Sequence, residues 1–229
     1  MHYWLGSFCR VINNDKSYFP INVVAVSDII KLEKDLGNQI PNKCWMLYLL
    51  ELFNIHNKPV ELNLICQFDN QNYFEAIFLG INRYRFKNIL PEIDHSYQRI
   101  IYLDEENNQI EYILTDQTTN KSEIFKLNIK NINFVYKTSN QFTGIEWWNK
   151  IDSFIYNIRY QIEISQLMFG LTDKNNPESI IFFPHNVLIP NKDDSLNKYP
   201  VTFQNIRLKD NCICYNISYG LCDNGLSYS

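Results

Sequence analysis

The chain has 229 residues, of which 45% are hydrophobic and 15% aromatic, so it can bury an ordinary core and is not expected to be disordered. The formal net charge is −4, and no block of basic residues is present, which argues against nucleic-acid binding because phosphate neutralisation needs a cationic surface. No apolar run approaches the roughly 18 residues that a membrane helix requires, so no membrane association is expected.

The chain begins with MHYWLGSFCRVINN, which lacks a basic region followed by a long apolar run. We therefore predict a cytoplasmic protein and leave export open. The next element, in SDIIKLEKDLGNQIP, is predicted to be a short helix near 28–36. Ile29, Leu32 and Leu36 share one helical face there, Ser27 can serve as N-cap, and a glycine and a proline follow.

Period-two alternation predicts strands through most of the remaining chain. In PVELNLICQF, for example, Glu61, Asn63 and Gln67 lie on the polar side, and Ile65 interrupts that side. Asn-rich turn signals separate the strands at short intervals, which favours antiparallel hairpins. The predicted strands cover 59–67, 98–103, 109–115, 122–129, 158–165 and 212–219.

These elements predict an all-β fold, a two-sheet and mostly antiparallel β-sandwich with the one short helix near 28–36. A weak boundary falls near 137–142, where KTSNQ separates two strand-rich halves. Neither half is bounded by a clear linker, so we predict a single domain over 1–229. The sequence assigns no role to 170–229 and does not indicate an oligomeric state.

Six cysteines are present, but a chain of this size does not need disulfides, so we expect no disulfide network. The CxC pair near the C-terminus is a weak metal motif, because no histidine lies nearby to complete a zinc site. We therefore expect no metal and no organic cofactor. The cysteines are Cys9, Cys44, Cys66, Cys212, Cys214 and Cys222.

The stretch FTGIEWWNK supplies the candidate site, since nucleotide-binding, metalloprotease and serine-hydrolase motifs are absent. Alternation puts Glu146 on the same strand face as Trp148. Tryptophans beside a carboxylate can exclude water, raise the carboxyl pKa and prepare the group for proton transfer. The alternative is that Glu146 is a solvated strand residue and the tryptophans only cover the core or an edge.

Three stretches of the chain resemble the glutamic peptidases known as eqolisins. CWMLYLL followed by LNLICQFDNQN is similar to a Trp-containing strand followed by the strand with the catalytic Gln. IEYILTDQTTNKSEIFKL resembles a hairpin with a TTG-like turn, here TTN. GIEWWNK followed by RYQIEISQL resembles the strand with the catalytic Glu. Together the stretches cover roughly 44–168.

The resemblance implies a concanavalin-like β-sandwich and an acid hydrolase of peptide bonds. Glu146 would match the general base and Gln67 its oxyanion partner, although Gln71 offers a competing alignment. Trp45 would match an aromatic residue of the cleft, and Trp148 would contribute to substrate binding. The second hypothesis is a non-catalytic sandwich that binds carbohydrate or a protein partner through an aromatic-lined groove.

Overall fold

A computed structural model gives the fold, and it contains fifteen β-strands and no helix among the residues it describes. The described ranges are 2–9, 23–35, 44–53, 59–67, 72–104, 107–129, 141–149, 160–172, 180–184, 189–190, 201–209 and 212–219. The strands form two antiparallel sheets, so the prediction of an all-β sandwich is confirmed.

The first sheet has seven strands, and these line up in the order β13-β1-β10-β3-β4-β5-β6. Their bounds are β1 (His2–Cys9), β3 (Cys44–Phe53), β4 (Pro59–Gln67), β5 (Tyr73–Phe78), β6 (Asn82–Arg85), β10 (Gln141–Asn149) and β13 (Ile189–Pro190).

The second sheet has eight strands, of which seven follow the order β14-β15-β11-β2-β7-β8-β9, with β12 paired to β11. Their bounds are β2 (Val23–Asp35), β7 (Ser96–Asp104), β8 (Gln109–Asp116), β9 (Lys121–Asn128), β11 (Tyr160–Thr172), β12 (Ile180–Pro184), β14 (Val201–Lys209) and β15 (Cys212–Tyr219). Each of the six predicted strands overlaps one of the observed strands.

The main core lies between the two sheets and follows the predicted alternation. Every second residue of β7 and of β8 is buried, and these residues pack against alternate residues of β3, β4 and β5. Tyr84 and Phe125 close one side of this core, with stacked rings whose centroids are 4.1 Å apart.

The predicted helix near 28–36 is wrong, because 23–35 forms strand β2 in the middle of the eight-stranded sheet, between β11 and β7. Residues 24–30 are all buried, and a strand that is covered on both faces shows no simple alternation. The spacing of Ile29 and Leu32 therefore coincides with a helical period by chance. The β-branched residues of VVAVSDII favour the strand.

Asparagines take left-handed conformations in two hairpin turns, as their abundance at turn positions suggested. Asn108 has φ 51° between β7 and β8, and Asn120 has φ 56° between β8 and β9. Asn120 is the last residue of the TTN turn, and it takes a conformation that usually favours glycine. In the same turn the Asp116 carboxylate accepts hydrogen bonds from the backbone N–H groups of Thr118 and Thr119, at 2.9 and 3.2 Å.

A buried ion pair within the eight-stranded sheet includes an arginine that also contacts the other sheet. Arg99 and Asp28 are neighbours on β7 and β2, both fully buried, with the Arg99 Nη2 to Asp28 Oδ2 distance at 2.6 Å. The Arg99 guanidinium also donates to the backbone carbonyl oxygens of Tyr48, Leu49 and Leu62, at 2.7, 3.3 and 3.0 Å. One side chain of the eight-stranded sheet thus binds the backbone of two strands in the other sheet.

These carbonyls lie where the pairing of β3 with β4 is interrupted. Tyr48 pairs with Leu64 and Glu51 with Glu61, but no pair is formed between these two positions. The register is the same on both sides of this gap. The Arg99 guanidinium therefore donates to carbonyl oxygens in and beside a break in the β3–β4 ladder, where donors from the neighbouring strand are fewer.

Both sheets combine strands from the two halves of the sequence. β10 lies between β1 and β3, and β11 lies between β2 and β15. The predicted extent of the domain, 1–229, stays a prediction. Cys66 and Cys214 are buried and form no disulfide, within the part of the chain that is described. In the same residues, no helix is long and apolar enough to cross a membrane.

Candidate functional site

Alternate residues of β3 belong to two different clusters. Tyr48 and Leu50 belong to the main core, whereas Leu47 and Leu49 form a second buried cluster with Ile65 and Tyr73. Successive strand residues lie on opposite faces, so the second cluster is on the face of the seven-stranded sheet that is turned away from the core. We call this the site face. It comprises positions 45, 47, 49 and 51 of β3 and their register partners.

The register puts the four predicted site residues on the site face. Trp45 on β3 is the partner of Gln67 on β4 and of Trp148 on β10. Glu146 is the partner of Leu47, one row further along the strands. Positions 67 and 146 are therefore separated by two strand spacings and one two-residue step, about 12 Å between Cα atoms in a regular sheet.

The row that contains position 146 is apolar where its side chains are described. Leu47, Ile65 and Tyr73 follow one another across β3, β4 and β5, and each is less than a tenth exposed. The Arg85 guanidinium lies 4.0 Å from the centroid of the Tyr73 ring, in a cation–π contact. The apolar row explains why Ile65 interrupts the polar side of PVELNLICQF.

The next two rows of the site face carry acidic and amide side chains. Glu51 and Glu61 are register partners, and both are buried. Asn63 is fully buried, and its Nδ2 donates to Glu61 Oε2 at 2.7 Å. Like charges at directly opposite positions are unfavourable. The hydrogen bond from the neutral Asn63 amide therefore stabilises one of the two carboxylates.

Glu75 is the register partner of Asn63 on the neighbouring strand β5. Burial raises the pKa of Glu75 above its ordinary value, and the charges of Arg83 and Arg85 oppose that effect. Arg83 Nη1 donates to Glu75 Oε2 at 3.1 Å. This part of the site face therefore combines a buried carboxyl group with two partly solvated cations.

Sequence reasoning missed several residues of this face. Tyr73, Glu75 and Glu51 were not candidates, because each lies on a strand whose pairing is not evident from local patterns. Asn63 was recognisable as a neighbour of Gln67 on the polar side of one strand. Gln71, the competing match for the catalytic Gln, lies outside the described residues. The roles of Glu146, Gln67, Trp45 and Trp148 stay predictions.

Within the described ranges, no group of three His, Cys, Asp or Glu side chains is arranged to hold a metal ion. The chemistry that the face can offer without further groups is that of carboxyl groups, amides and aromatic rings. A carboxylate can take a proton from water, and an amide N–H can stabilise a developing oxyanion.

Comparison with solved structures finds glutamic peptidases. Two crystal structures of scytalidoglutamic peptidase, one with a peptide-based transition-state analogue and one with a transition-state analogue inhibitor, match with TM-scores of 0.57 and 0.56 and identities of 10% and 11%. SCP-B, a member of the eqolisin family in a complex with the tripeptide Ala-Ile-His, matches with a TM-score of 0.53 and 10% identity. Each match covers 94% of this chain and 97% of the other.

The chain thus has an eqolisin-like fold, as the resemblance of its short motifs implied. The identities are low, so the likeness is one of fold. No protein-family model matches the sequence, and no curated protein matches it either.

Proposed function

We propose that this protein is a hydrolase of peptide bonds that works like the glutamic peptidases, with Glu146 as general base and Gln67 as oxyanion partner. The observation that supports this most directly is the strand register. Gln67 and Glu146 come from different parts of the sequence, yet their positions lie on one face of one sheet, in adjacent rows. The eqolisin-like fold of the whole chain supports the same proposal.

The expected reaction needs only these two groups and water. The Glu146 carboxylate takes a proton from water as the water oxygen attacks the peptide carbonyl carbon. The Gln67 amide N–H donates a hydrogen bond to the oxyanion that forms, and the protonated Glu146 then gives its proton to the leaving amine. A separation of about 12 Å between the Cα atoms leaves room for two long side chains and one water between them.

The proposed substrate is an extended peptide that lies on the site face. Trp45 and Trp148 occupy register-paired positions in the row of Gln67, so they are proposed to contact the peptide close to the reacting bond. The row of Leu47, Ile65 and Tyr73 is buried, so it contributes packing next to these positions. Large rings supply much of the contact area in binding sites of this kind.

Digestion of an unfolded protein substrate tests the proposal, at pH values between about 2 and 6, the range in which ordinary carboxyl groups titrate. Glu146→Gln should lower kcat by about 100-fold or more, because the base is lost while size and hydrogen bonding are retained. Gln67→Ala should lower it by about 100-fold to 1,000-fold, the usual effect of losing one oxyanion donor.

A matched control is Glu111→Gln. Glu111 lies on the eight-stranded sheet and pairs with Lys126, so its replacement should leave the activity unchanged. If the unmodified protein cleaves nothing in this pH range, the peptidase proposal is rejected. If Trp148→Ala instead weakens capture of a peptide or carbohydrate while Glu146→Gln has no effect, the protein is a binding module.

A further inference from the structure

Strand β6 is the last strand of the seven-stranded sheet on one side. It pairs with β5, and no other described strand pairs with it. Phe86 N donates to Phe74 O at 3.0 Å, and in an antiparallel pair the N–H and C=O groups of every second residue point towards the partner strand. The backbone groups of Arg83 and Arg85 therefore point away from β5. An edge of this kind can accept a further strand.

The side chains of the same two arginines lie on the site face. Arg85 is the register partner of Glu75, and Arg83 lies two residues before Arg85 on the same face. Both arginines are exposed, and the side chain of Arg83 is 48% exposed. The Arg85 guanidinium lies over the Tyr73 ring, and that of Arg83 donates to Glu75. These contacts reduce the conformational entropy that the two side chains would lose on binding a ligand.

The charge at this edge is mainly positive. The segment 82–88, NRYRFKN, contains three cationic residues and no acidic residue, although the whole chain has a net charge of −4. Glu75 is one carboxyl group beside two guanidinium groups, and burial raises its pKa. A ligand that brings further carboxylates would therefore be complementary in charge to this edge.

The geometry of the edge suits an extended peptide better than a nucleic acid. Side chains two residues apart in a strand are about 6.8 Å apart, so two alternate acidic residues of an added strand can each stand opposite one arginine. Single-stranded nucleic acids usually stack their bases on aromatic rings. The aromatic rings of this segment face the core instead, since Tyr84 stacks on Phe125 and Phe86 is fully buried.

We propose that β6 is a docking edge for an extended acidic peptide segment, which adds a strand to the sheet and places two alternate carboxylates opposite Arg83 and Arg85. Strand addition of this kind takes its affinity from main-chain hydrogen bonds and its specificity from alternate side chains. Opposite charges at facing positions stabilise the pair further. Strand β6 is four strand spacings from β10, about 19 Å, so the inference does not depend on the proposed peptidase activity.

An N-methyl scan tests the inference, with the fluorescein-labelled peptide TVEVEVT as the probe. Binding is measured by fluorescence anisotropy at about pH 7, where the glutamates of the peptide are ionised. The unmodified protein should bind this peptide saturably and should not bind TVKVKVT. A methyl group on the backbone nitrogen of either glutamate removes a donor that faces β6, and should weaken binding by about 10-fold or more. The N–H of the valine between them faces away, so methylation there should change the affinity by less than about two-fold.

Variants of the two arginines test the role of charge. Arg83→Gln and Arg85→Gln should each weaken binding by about two-fold to five-fold, the usual range for an exposed charge pair. The double variant Arg83→Glu/Arg85→Glu should bind TVKVKVT in preference to TVEVEVT. The matched control is Lys121→Gln/Lys126→Gln, which removes two cations from β9, the edge strand of the other sheet, and should leave the affinity unchanged. Thermal unfolding of each variant shows that it is folded at the temperature of the titration.

Hydrogen exchange gives a second measurement on the unmodified protein. The amides of Arg83 and Arg85 should exchange more slowly when the peptide is bound, whereas the amide of Tyr84 faces β5 and should change little. The absence of saturable binding would overturn the inference and leave the arginines as a protection of the edge against other strands. Binding that is insensitive to N-methylation would show attraction by charge alone and overturn it as well. Tighter, arginine-dependent binding of a single-stranded oligonucleotide would assign the edge to nucleic acid and also overturn the inference.

Discussion

At the scale of single residues, Arg99 contributes directly to the packing of the two sheets. Its guanidinium is fully enclosed, pairs with Asp28 and donates to three backbone carbonyl oxygens of the other sheet. Replacing one partner of a buried ion pair leaves the other charge unpaired in a low-dielectric interior, which is far worse than never having buried the pair. The role of Arg99 therefore has two separable parts, the ion pair and the carbonyl contacts.

The Arg99→Met variant should lose about 3–5 kcal/mol of unfolding free energy, the usual effect of breaking a buried pair. The double variant Arg99→Met/Asp28→Leu should recover only part of this loss, because the hydrogen bonds from Arg99 to the carbonyl oxygens are still lost. Urea unfolding monitored by fluorescence measures both. The exposed pair of Lys126 with Glu111 is the control, and Lys126→Met should cost less than about 1 kcal/mol. A double variant as stable as the unmodified protein would contradict a role for the carbonyl contacts.

Glu75 and Asp116 should make the stability of the protein depend on pH in opposite directions. Burial raises the pKa of Glu75. Glu75 therefore contributes to the free energy of unfolding below its pKa in the unfolded state, and this contribution is lost as the pH rises through its pKa in the folded state. For Asp116, burial acts to raise the pKa, but hydrogen bonds from Thr119, His95 and Thr118 outweigh it and lower the pKa. That contribution is present above the unfolded pKa and is lost as the pH falls through the folded value.

Two variants should therefore differ from the unmodified protein in how their unfolding midpoints change between about pH 3 and about pH 8. This range includes the ordinary carboxyl pKa values, which lie at about 4. Relative to the unmodified protein, Glu75→Gln should become more stable as the pH rises. Asp116→Asn should become less stable over the same range and approach the unmodified protein at the acid end. Parallel curves for either variant would show that the carboxyl group has the same affinity for protons in both states.

At the scale of elements, the close approach of β2, β11 and β12 depends on one glycine. A Cβ atom at Gly170 would lie 2.5 Å from Ile180 Cγ2 and 2.9 Å from Ala25 Cβ. Gly170→Ala should therefore destabilise the protein by about 1–3 kcal/mol, the usual effect of overpacking. Ile180→Ala should restore part of that loss when the two changes are combined.

Thermal unfolding measures both variants, with Gly80→Asn as the control. Gly80 has φ 73° and no neighbouring atom within 4 Å of an added Cβ, and asparagine accepts this conformation. The control should change stability by less than about 1 kcal/mol. A Gly170→Ala protein as stable as the unmodified one would show that β12 can move away from β11 at no cost.

Local patterns predicted the elements whose two faces differ, and failed where they do not. β7 and β8 alternate between buried and half-buried residues, so period-two patterning identified them. β2 is buried on both faces over most of its length, which removes the alternation and leaves a misleading helical spacing. The charge of Asp28 inside that apolar run was the available signal, because a buried acid requires a partner from a neighbouring strand.

The candidate site was only half predictable for a related reason. The residue types at Gln67 and Glu146 were evident from the sequence, and so was the face of each on its own strand. Their placement in adjacent rows of one face depends on the register between β4, β3 and β10, which long-range packing sets. Glu75 illustrates the limit, since its contact with Arg83 becomes apparent only once the pairing of β5 with β6 is known.

At the scale of the whole molecule, strands from the two halves of the sequence are interleaved in both sheets. β10 fills the position between β1 and β3, and β11 fills that between β2 and β15. A fragment 1–137 should therefore lack a cooperative thermal transition, because each sheet would be missing a central strand. Adding the fragment 138–229 should restore a transition that is monitored by circular dichroism. Cooperative unfolding of 1–137 alone would reveal two separate domains.

The interrupted ladder between β3 and β4 also has a kinetic consequence. The contacts of the Arg99 guanidinium with the carbonyl oxygens of Tyr48, Leu49 and Leu62 form only when β7 packs against these two strands. The β3–β4 pair should thus be unstable as an early folding intermediate and should form together with the docking of the sheets. In φ-value measurements we expect Arg99 to be part of the folding nucleus. In hydrogen exchange, the amides beside the break should exchange only through global unfolding.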